Sequence, residues 1–277
     1  MKIALTGSTG RVGRFIAREI IAAGDTLLPL SRPGYRLGDR PDLTGCDALV
    51  HCALAHLPGR YRGGEGEDPE GFRRTNFDGS IALFEAARQA GVARVIFLSS
   101  RAVYGDYPPG TALTEHLPPR PDTLYGAVKW QAEQALAALA APGFCPASIR
   151  ATGIYGPGSG HKWQTLFEAF SNGAAIAPRR STELHGHDLA RAVRLLLQCQ
   201  ETGAFNASDI LLDRHDLLAR VARLTGVTHP LPARSAAAIS AMTSDRLRAL
   251  GWRPAGIAGL EATLPKMLAQ RADAAGR

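Results

Sequence analysis

A mostly apolar run, Lys2-Ile3-Ala4-Leu5-Thr6, leads directly into Gly7-Ser8-Thr9-Gly10-Arg11-Val12-Gly13. No other segment restricts the fold as tightly. The run reads as a buried strand. Gly10–Ala23 reads as a helix, with Val12, Phe15, Ile16 and Ile20 marking its faces and Gly24 ending it. Strand, glycine turn and helix in that order aim backbone N–H groups and the positive end of a helix dipole at one point, which suits an anion. Gly7 permits the tight turn, Gly10 the close approach of a pyrophosphate, and Gly13 the packing of helix on strand. The segment predicts a dinucleotide site that uses Gly7, Thr9, Gly10, Arg11, Val12 and Gly13.

The rest of the first half keeps that rhythm. Thr26–Ser31, Ala48–Cys52, Val95–Ser99 and Ala147–Ala151 read as strands; Thr75–Ala90 and Tyr125–Ala141 read as helices. Continuous apolar strands alternating with helices define a doubly wound α/β sheet of the Rossmann type. The second half is more helical. Trp163, Leu166, Phe167 and Phe170 fall at i, i+3, i+4 and i+7 and read as core. Asp213 reads as a helix N-cap with Gly226 as the stop, and Thr243 or Ser244 opens a short helix stopped by Gly251. The expected division is a dinucleotide-binding domain over 1–150, to which part of 185–210 returns, and a small, mostly helical substrate lobe over 151–277. Two long loops, Leu57–Gly71 and Gly105–Thr123, fall where open α/β sheets bind ligands.

Composition excludes several function classes. The net charge is +7, but the arginines are scattered and few aromatics interleave with them, which argues against a nucleic-acid surface. A basic surface favours anionic ligands instead. Cys46, Cys52, Cys145 and Cys199 are far apart and read as reduced, buried thiols. No His/Cys/Asp/Glu spacing matches a metal site. No apolar run is long enough for a membrane span, and the first residues carry no signal-peptide pattern, so a cytoplasmic protein is expected.

Tyr125-Gly-Ala-Val-Lys129 carries the chemistry. Residues four apart on a helix are neighbours on one face. An ammonium beside a phenol favours the phenolate and makes tyrosine a usable general acid/base. Ser99-Ser100 ends a strand, where a hydroxyl can hydrogen-bond a substrate oxygen. At the end of the second strand stand Ser31 and Arg32, where an NAD site usually carries an acid. Two arginines, Arg11 and Arg32, with no carboxylate suit the 2′-phosphate of NADP; NAD is the alternative.

Taken together, the chain resembles the extended short-chain dehydrogenase/reductases, also called the NAD-dependent epimerase/dehydratase family. The matching pieces include Thr6-Gly7-x-x-Gly10-x-x-Gly13, Asp47-Ala-Leu-Val-His-Cys-Ala53, Asn76-x-x-Gly79 and Ser99-Ser100-x-x-Val103-Tyr104-Gly105. Tyr125-x-x-x-Lys129, Arg150-Ala-Thr-Gly-Ile-Tyr-Gly-Pro157 and His185-Gly-His-Asp188 follow in family order. The resemblance implies a catalytic Ser100, Tyr125 and Lys129, with Ser99 as the runner-up serine. It implies that Tyr125 and Lys129 also touch the cofactor, that Ala53 and Leu54 line it, and that Asn76 and His51 are mainly structural. Ser100, Arg101, Tyr104 and Tyr155 are the expected substrate contacts. Arg73, Arg74, His161, Lys162, Arg179 and Arg180 are further substrate-side candidates.

Where dehydratases of the family have Asp-Glu after the catalytic hydroxyl, this chain has Arg101-Ala102; where its epimerases often have Asn, it has Gly153. These departures favour an NADP-dependent reductase or dehydrogenase acting on a small, sugar-like or anionic substrate. A sugar or nucleotide-sugar epimerase with tightly held NAD is the alternative, and a non-catalytic NADP-binding redox sensor the lesser one. Relatives often pair through the Tyr125 helix and the one before it, so a homodimer is a possible partner state.

Overall fold

The computed structural model describes residues 1–57 and 64–275, with side chains described up to Ala269. Residues 58–63 of the expected Leu57–Gly71 loop lie outside the described residues. In chain order, β1 (Lys2–Thr6), β2 (Thr26–Leu30), β3 (Ala48–His51), β4 (Arg94–Ser100), β5 (Cys145–Ala151) and β8 (Gly203–Ala207) build one sheet. Its order is β2-β1-β3-β4-β5-β8, and every pairing is parallel. This is the Rossmann-type α/β fold.

The pleat sorts the core. Successive strand residues point to opposite faces. Ile3 and Leu5 of β1, Val50 of β3 and Ile96 of β4 face α1 (Gly13–Ala22) and α6 (Gly186–Leu197). Their alternates Ala4, Leu49, Val95 and Phe97 face α3 (Gly79–Gln89) and α4 (Leu124–Ala138). Both faces are covered, as an all-parallel sheet requires.

The helix before β4 differs from the expected Thr75–Ala90. It opens at α2 (Pro69–Arg73), capped by the Asp68 carboxylate, passes through a π turn over Arg74–Asp78, and continues as α3. The π turn holds Asn76 in the interior.

The lobe packs α5 (Gln164–Ser171), α7 (Arg214–Thr225), α8 (Asp245–Ala249) and α9 (Gly256–Ala275) around a second small sheet. That sheet, of order β6-β7-β9, joins β6 (Gly153–Tyr155), β7 (Arg180–His185) and β9 (Ile210–Asp213). It is absent from the sequence reading. Its core is Tyr155, Trp163, Phe167, Phe170, Leu212, Leu217 and Leu264, so the aromatic stripe at 163–170 is structural. Asp213 caps α7 through His215 N–H at 2.8 Å, and Gly226 ends that helix in the left-handed conformation. Ser244 precedes α8, but its hydroxyl bonds Ser208 rather than the helix end. Among the described residues no helix is long and apolar enough to cross a membrane, and no cluster could hold a metal ion.

Candidate active site

The glycine turn sits at the carboxyl edge of β1. Gly7 has φ +67°, and a Cβ there would lie 3.1 Å from the Ala53 backbone. A Cβ on Gly13 would run into the Gly7 carbonyl oxygen. The turn is therefore a cradle that only glycine leaves open. α1 begins there with no side-chain cap and no acid in its first turn, so its positive end is not satisfied from within. The residues fit a dinucleotide phosphate.

Thr6 ties β1 to the end of β3. Its hydroxyl accepts from Cys52 and Ala53 N–H at 3.0 and 3.1 Å and meets His51 Nδ1 at 2.7 Å. His51 Nε2 lies 2.9 Å from the Ser80 hydroxyl. Burial, aided by Lys129, pushes the His51 pKa down to about 3, so this ring is neutral. Asn76 accepts from Ala55 N–H at 2.7 Å and donates to the Ala55 and Phe72 carbonyls. One side chain thus fixes the segment carrying Ala53 and Leu54 beside Gly7.

At the edge of β4 the two serines separate. The buried Ser99 hydroxyl donates to Glu133. Ser100 is on the opposite face, half-buried, and its hydroxyl accepts from Ala102 N–H at 3.2 Å. The geometry leaves Ser100, not Ser99, facing the cleft. α4 is drawn against this edge because Gly126 has no side chain: a Cβ there would strike the Ala102 carbonyl. Thr123 caps α4 through Gly126 N–H at 3.1 Å. Half-buried Tyr125 is thereby placed beside the Ser100–Ala102 turn.

Lys129, one helical turn on, is 4% exposed. Its ammonium donates to the Leu98 carbonyl at 2.7 Å and stands 4.5 Å from the Phe97 ring centre. Burial lowers its pKa to about 8, while Cys52 and Glu133 act to raise it. The same burial pushes the Cys52 thiol up to about 12, so it stays protonated.

Beneath the site lies a buried ion pair. Arg150 of β5 grips Glu133 of α4 through Nη2 at 2.7 Å and Nε at 3.1 Å; both side chains are 4% exposed. Arg150 also donates to the Tyr104 hydroxyl at 2.9 Å. That hydroxyl lies 2.9 Å from the Thr114 carbonyl and 2.8 Å from Asn206 Oδ1.

The expected substrate contacts need correction on this point. Tyr104 has no exposed surface, because the 3-10 turn over Arg101–Tyr104 swings its ring inward onto Arg150. Tyr155 is 1% exposed, stacked on Trp163 at 4.8 Å and edge-on to His185. Neither ring reaches the cleft. Arg101 donates to the Ser240 carbonyl at 3.0 Å and so holds the segment before α8 near Ser100. Arg11 also departs from expectation. Its guanidinium packs on Gly160, in the loop that Arg14 fastens over α1 through Ser159. The 2′-phosphate expectation then rests on Ser31 and Arg32, at the end of β2; Arg32 is exposed. Thr9 and Gly10 are exposed in the turn, with Val12 half-buried below them.

A glycine turn at the end of β1, with Ser100, Tyr125 and Lys129 about the end of β4 two strands along the same sheet, suits a dinucleotide-binding α/β protein. The profile of the NAD dependent epimerase/dehydratase family matches residues 3–208, and the chain belongs to that family. It is similar to a UDP-glucose 4-epimerase of Corynebacterium glutamicum, 27% identical over 92% of this chain and 91% of that protein. It is also similar to a uronate dehydrogenase of Pseudomonas syringae pv. tomato, 33% identical over 46% of this chain and 50% of that protein. Among solved structures, MoeE5 in complex with UDP-glucose and NAD superposes with a TM-score of 0.78 at 23% identity, over the full length of both chains.

Proposed function

We propose that this protein is an NAD(P)-dependent oxidoreductase acting on a carbonyl or secondary alcohol of a small, sugar-like substrate. The observation that carries this reading is the gathering of Ser100 and Tyr125 at the carboxyl edge of β4, with Lys129 locked beneath them by Leu98. When bound in the cradle of Gly7, Gly10 and Gly13, a nicotinamide cofactor supplies the hydride chemistry. The Ser100 hydroxyl donates to the substrate oxygen and orients it. Tyr125 gives that oxygen its proton in reduction and takes it back in oxidation. The charged Lys129 favours the Tyr125 phenolate and holds the cofactor's ribose. Asn76 keeps Ala53 and Leu54 against the cradle, and Arg150–Glu133 keeps β5 and α4 in place.

NADP is the proposed cofactor, on the strength of Ser31 and Arg32 standing where an acid would select NAD. Fluorescence titration checks it: NADPH is expected to bind several-fold tighter than NADH, and Arg32→Ala to narrow the gap. Equal affinities in the unaltered protein reject NADP. Turnover is tested by Tyr125→Phe against a panel of sugars and carbonyl compounds. The expected loss in kcat is about 10²- to 10⁴-fold, with the melting temperature unchanged. Full activity in that variant rules out tyrosine chemistry.

The second reading is an epimerase that holds NAD through many turnovers. The full-length likeness to a UDP-glucose 4-epimerase favours it. Stoichiometric, non-exchanging NAD after purification is the result that selects it.

A further inference from the structure

Gly153 opens β6, in register with Glu183 of β7. A Cβ on Gly153 would collide with the Lys162 ammonium and crowd a Glu183 oxygen. The missing side chain is thus replaced by a cation, which Glu183 holds in an ion pair. Glu183 is 2% exposed, and its other oxygen accepts from the Ser181 hydroxyl at 2.9 Å.

Two more cations reach the same place. β7 and β9 run antiparallel, with Arg180 opposite Asp213. The next pair outward is Arg179 and Arg214, joined by Arg214 N–H to the Arg179 carbonyl at 2.9 Å. Like charges side by side at a ladder end repel. Burial lowers the Lys162 pKa, Glu183 raises it, and Arg179 and Arg214 push it down again. Lys162, Arg179, Arg214, Ser181 and Glu183 all line one cavity of about 150 Å³ with an apolar side of Leu212 and Leu217. Three cations there face a single lining carboxylate. Glu183 offsets Lys162, and the Arg179 and Arg214 guanidiniums beyond that pair favour an anion entering the cavity.

Lys162, one wall of the cavity, stands against Gly153 at the start of β6. Ser100 is in register with Ala151, and Gly153 follows two residues later, roughly 7 Å along an extended chain. Its volume is below the ~300 Å³ at which pockets for larger organic ligands begin. We propose that Lys162, Arg179 and Arg214 form an anion subsite for the carboxylate or phosphate of a single-sugar substrate whose reacting carbon lies against Ser100 and Tyr125. The inference rests on the oxidoreductase reading for the position of that carbon, and stands apart from it for the binding of the anion.

The test uses calorimetry on the cofactor-loaded protein with D-galacturonate, D-glucuronate, D-glucose 6-phosphate and neutral D-galactose. At least one anionic sugar is expected to bind about 10-fold or more tightly than galactose; which one wins tells carboxylate from phosphate. Lys162→Met is expected to weaken that sugar by about 10- to 100-fold and to raise KM with kcat little changed, while Lys162→Arg restores most of the affinity. Should Lys162→Met not fold with Glu183 left unpaired, Arg179→Gln, on an exposed side chain, carries the same expectation at a smaller size. Tyr125→Phe separates the two readings: anion binding that persists there without any turnover in the unaltered protein rejects the oxidoreductase and keeps the subsite. No preference for anionic over neutral sugars, or an unchanged affinity in both Lys162→Met and Arg179→Gln, overturns the subsite.

Discussion

The two ends of the crevice are built in opposite ways. On the β1 side the proposed binding surface is backbone: Gly7, Gly10 and Gly13 contribute space, and the specificity lies in the side chains missing from them. On the lobe side it is side chain: Lys162, Glu183, Arg179 and Arg214 arrive from β7, α7 and the flanks of α5 and β7. A surface of backbone is rigid and cannot drift without loss of the ligand. A surface of side chains on short strands can change its chemistry while the fold stays. The difference suits the proposed roles, a common cofactor at the first end and an individual substrate at the second.

The comparison is broken most severely at the cradle. Gly13→Val places a branched side chain where a single Cβ already meets the Gly7 carbonyl. Cofactor titration is expected to show no saturable binding, and measurable binding at wild-type strength sinks the cradle assignment. Next comes the support common to both ends. Arg150→Met leaves Glu133 charged and buried with no cation, and is expected to cost about 3–5 kcal/mol in urea unfolding. A loss under about 1 kcal/mol would mean that the pair is not holding β5 to α4.

The subtlest expectation concerns Lys129, whose pKa drops from 10.5 to about 8 on folding. Between these values the unfolded chain binds more protons, so stability rises with pH. The burial penalty is complete below about pH 8 and is relieved by pH 10.5. The melting temperature of the unaltered protein, relative to Lys129→Met, is expected to climb across that window. A flat difference refutes a buried, charged Lys129.

Legibility in the sequence follows the same division. The cradle and Tyr125–Lys129 lie within eight and five residues, and strand or helix geometry alone converts those spacings into proximity. Lys162 and Arg179 were nameable as substrate-side candidates, but Glu183, Ser181 and Arg214 were not. They meet only through β7 pairing with β9, and Arg180-Ser-Thr-Glu-Leu-His185 has too little apolar content to announce a strand. Gly203–Ala207 is silent for a related reason: Phe205 is its one large apolar residue, and its other buried residues are Asn206 and Ala207. Tyr104 and Tyr155 misled because both adjoin motif residues, and only the turn after β4 and the aromatic packing of the lobe decide that their rings point inward. Asn76 was placed in its structural role by its motif, yet the π turn that aims it has no signature in the residues around it.

The overlap of Gly153 with the Lys162 ammonium also couples three positions in inheritance. Asparagine at 153 would push the flexible end of the lysine aside, since both claim one volume. A descendant cannot discard the lysine without stranding Glu183 as a lone charge in the interior. The three positions are therefore expected to vary together in a lineage whose substrate shifts.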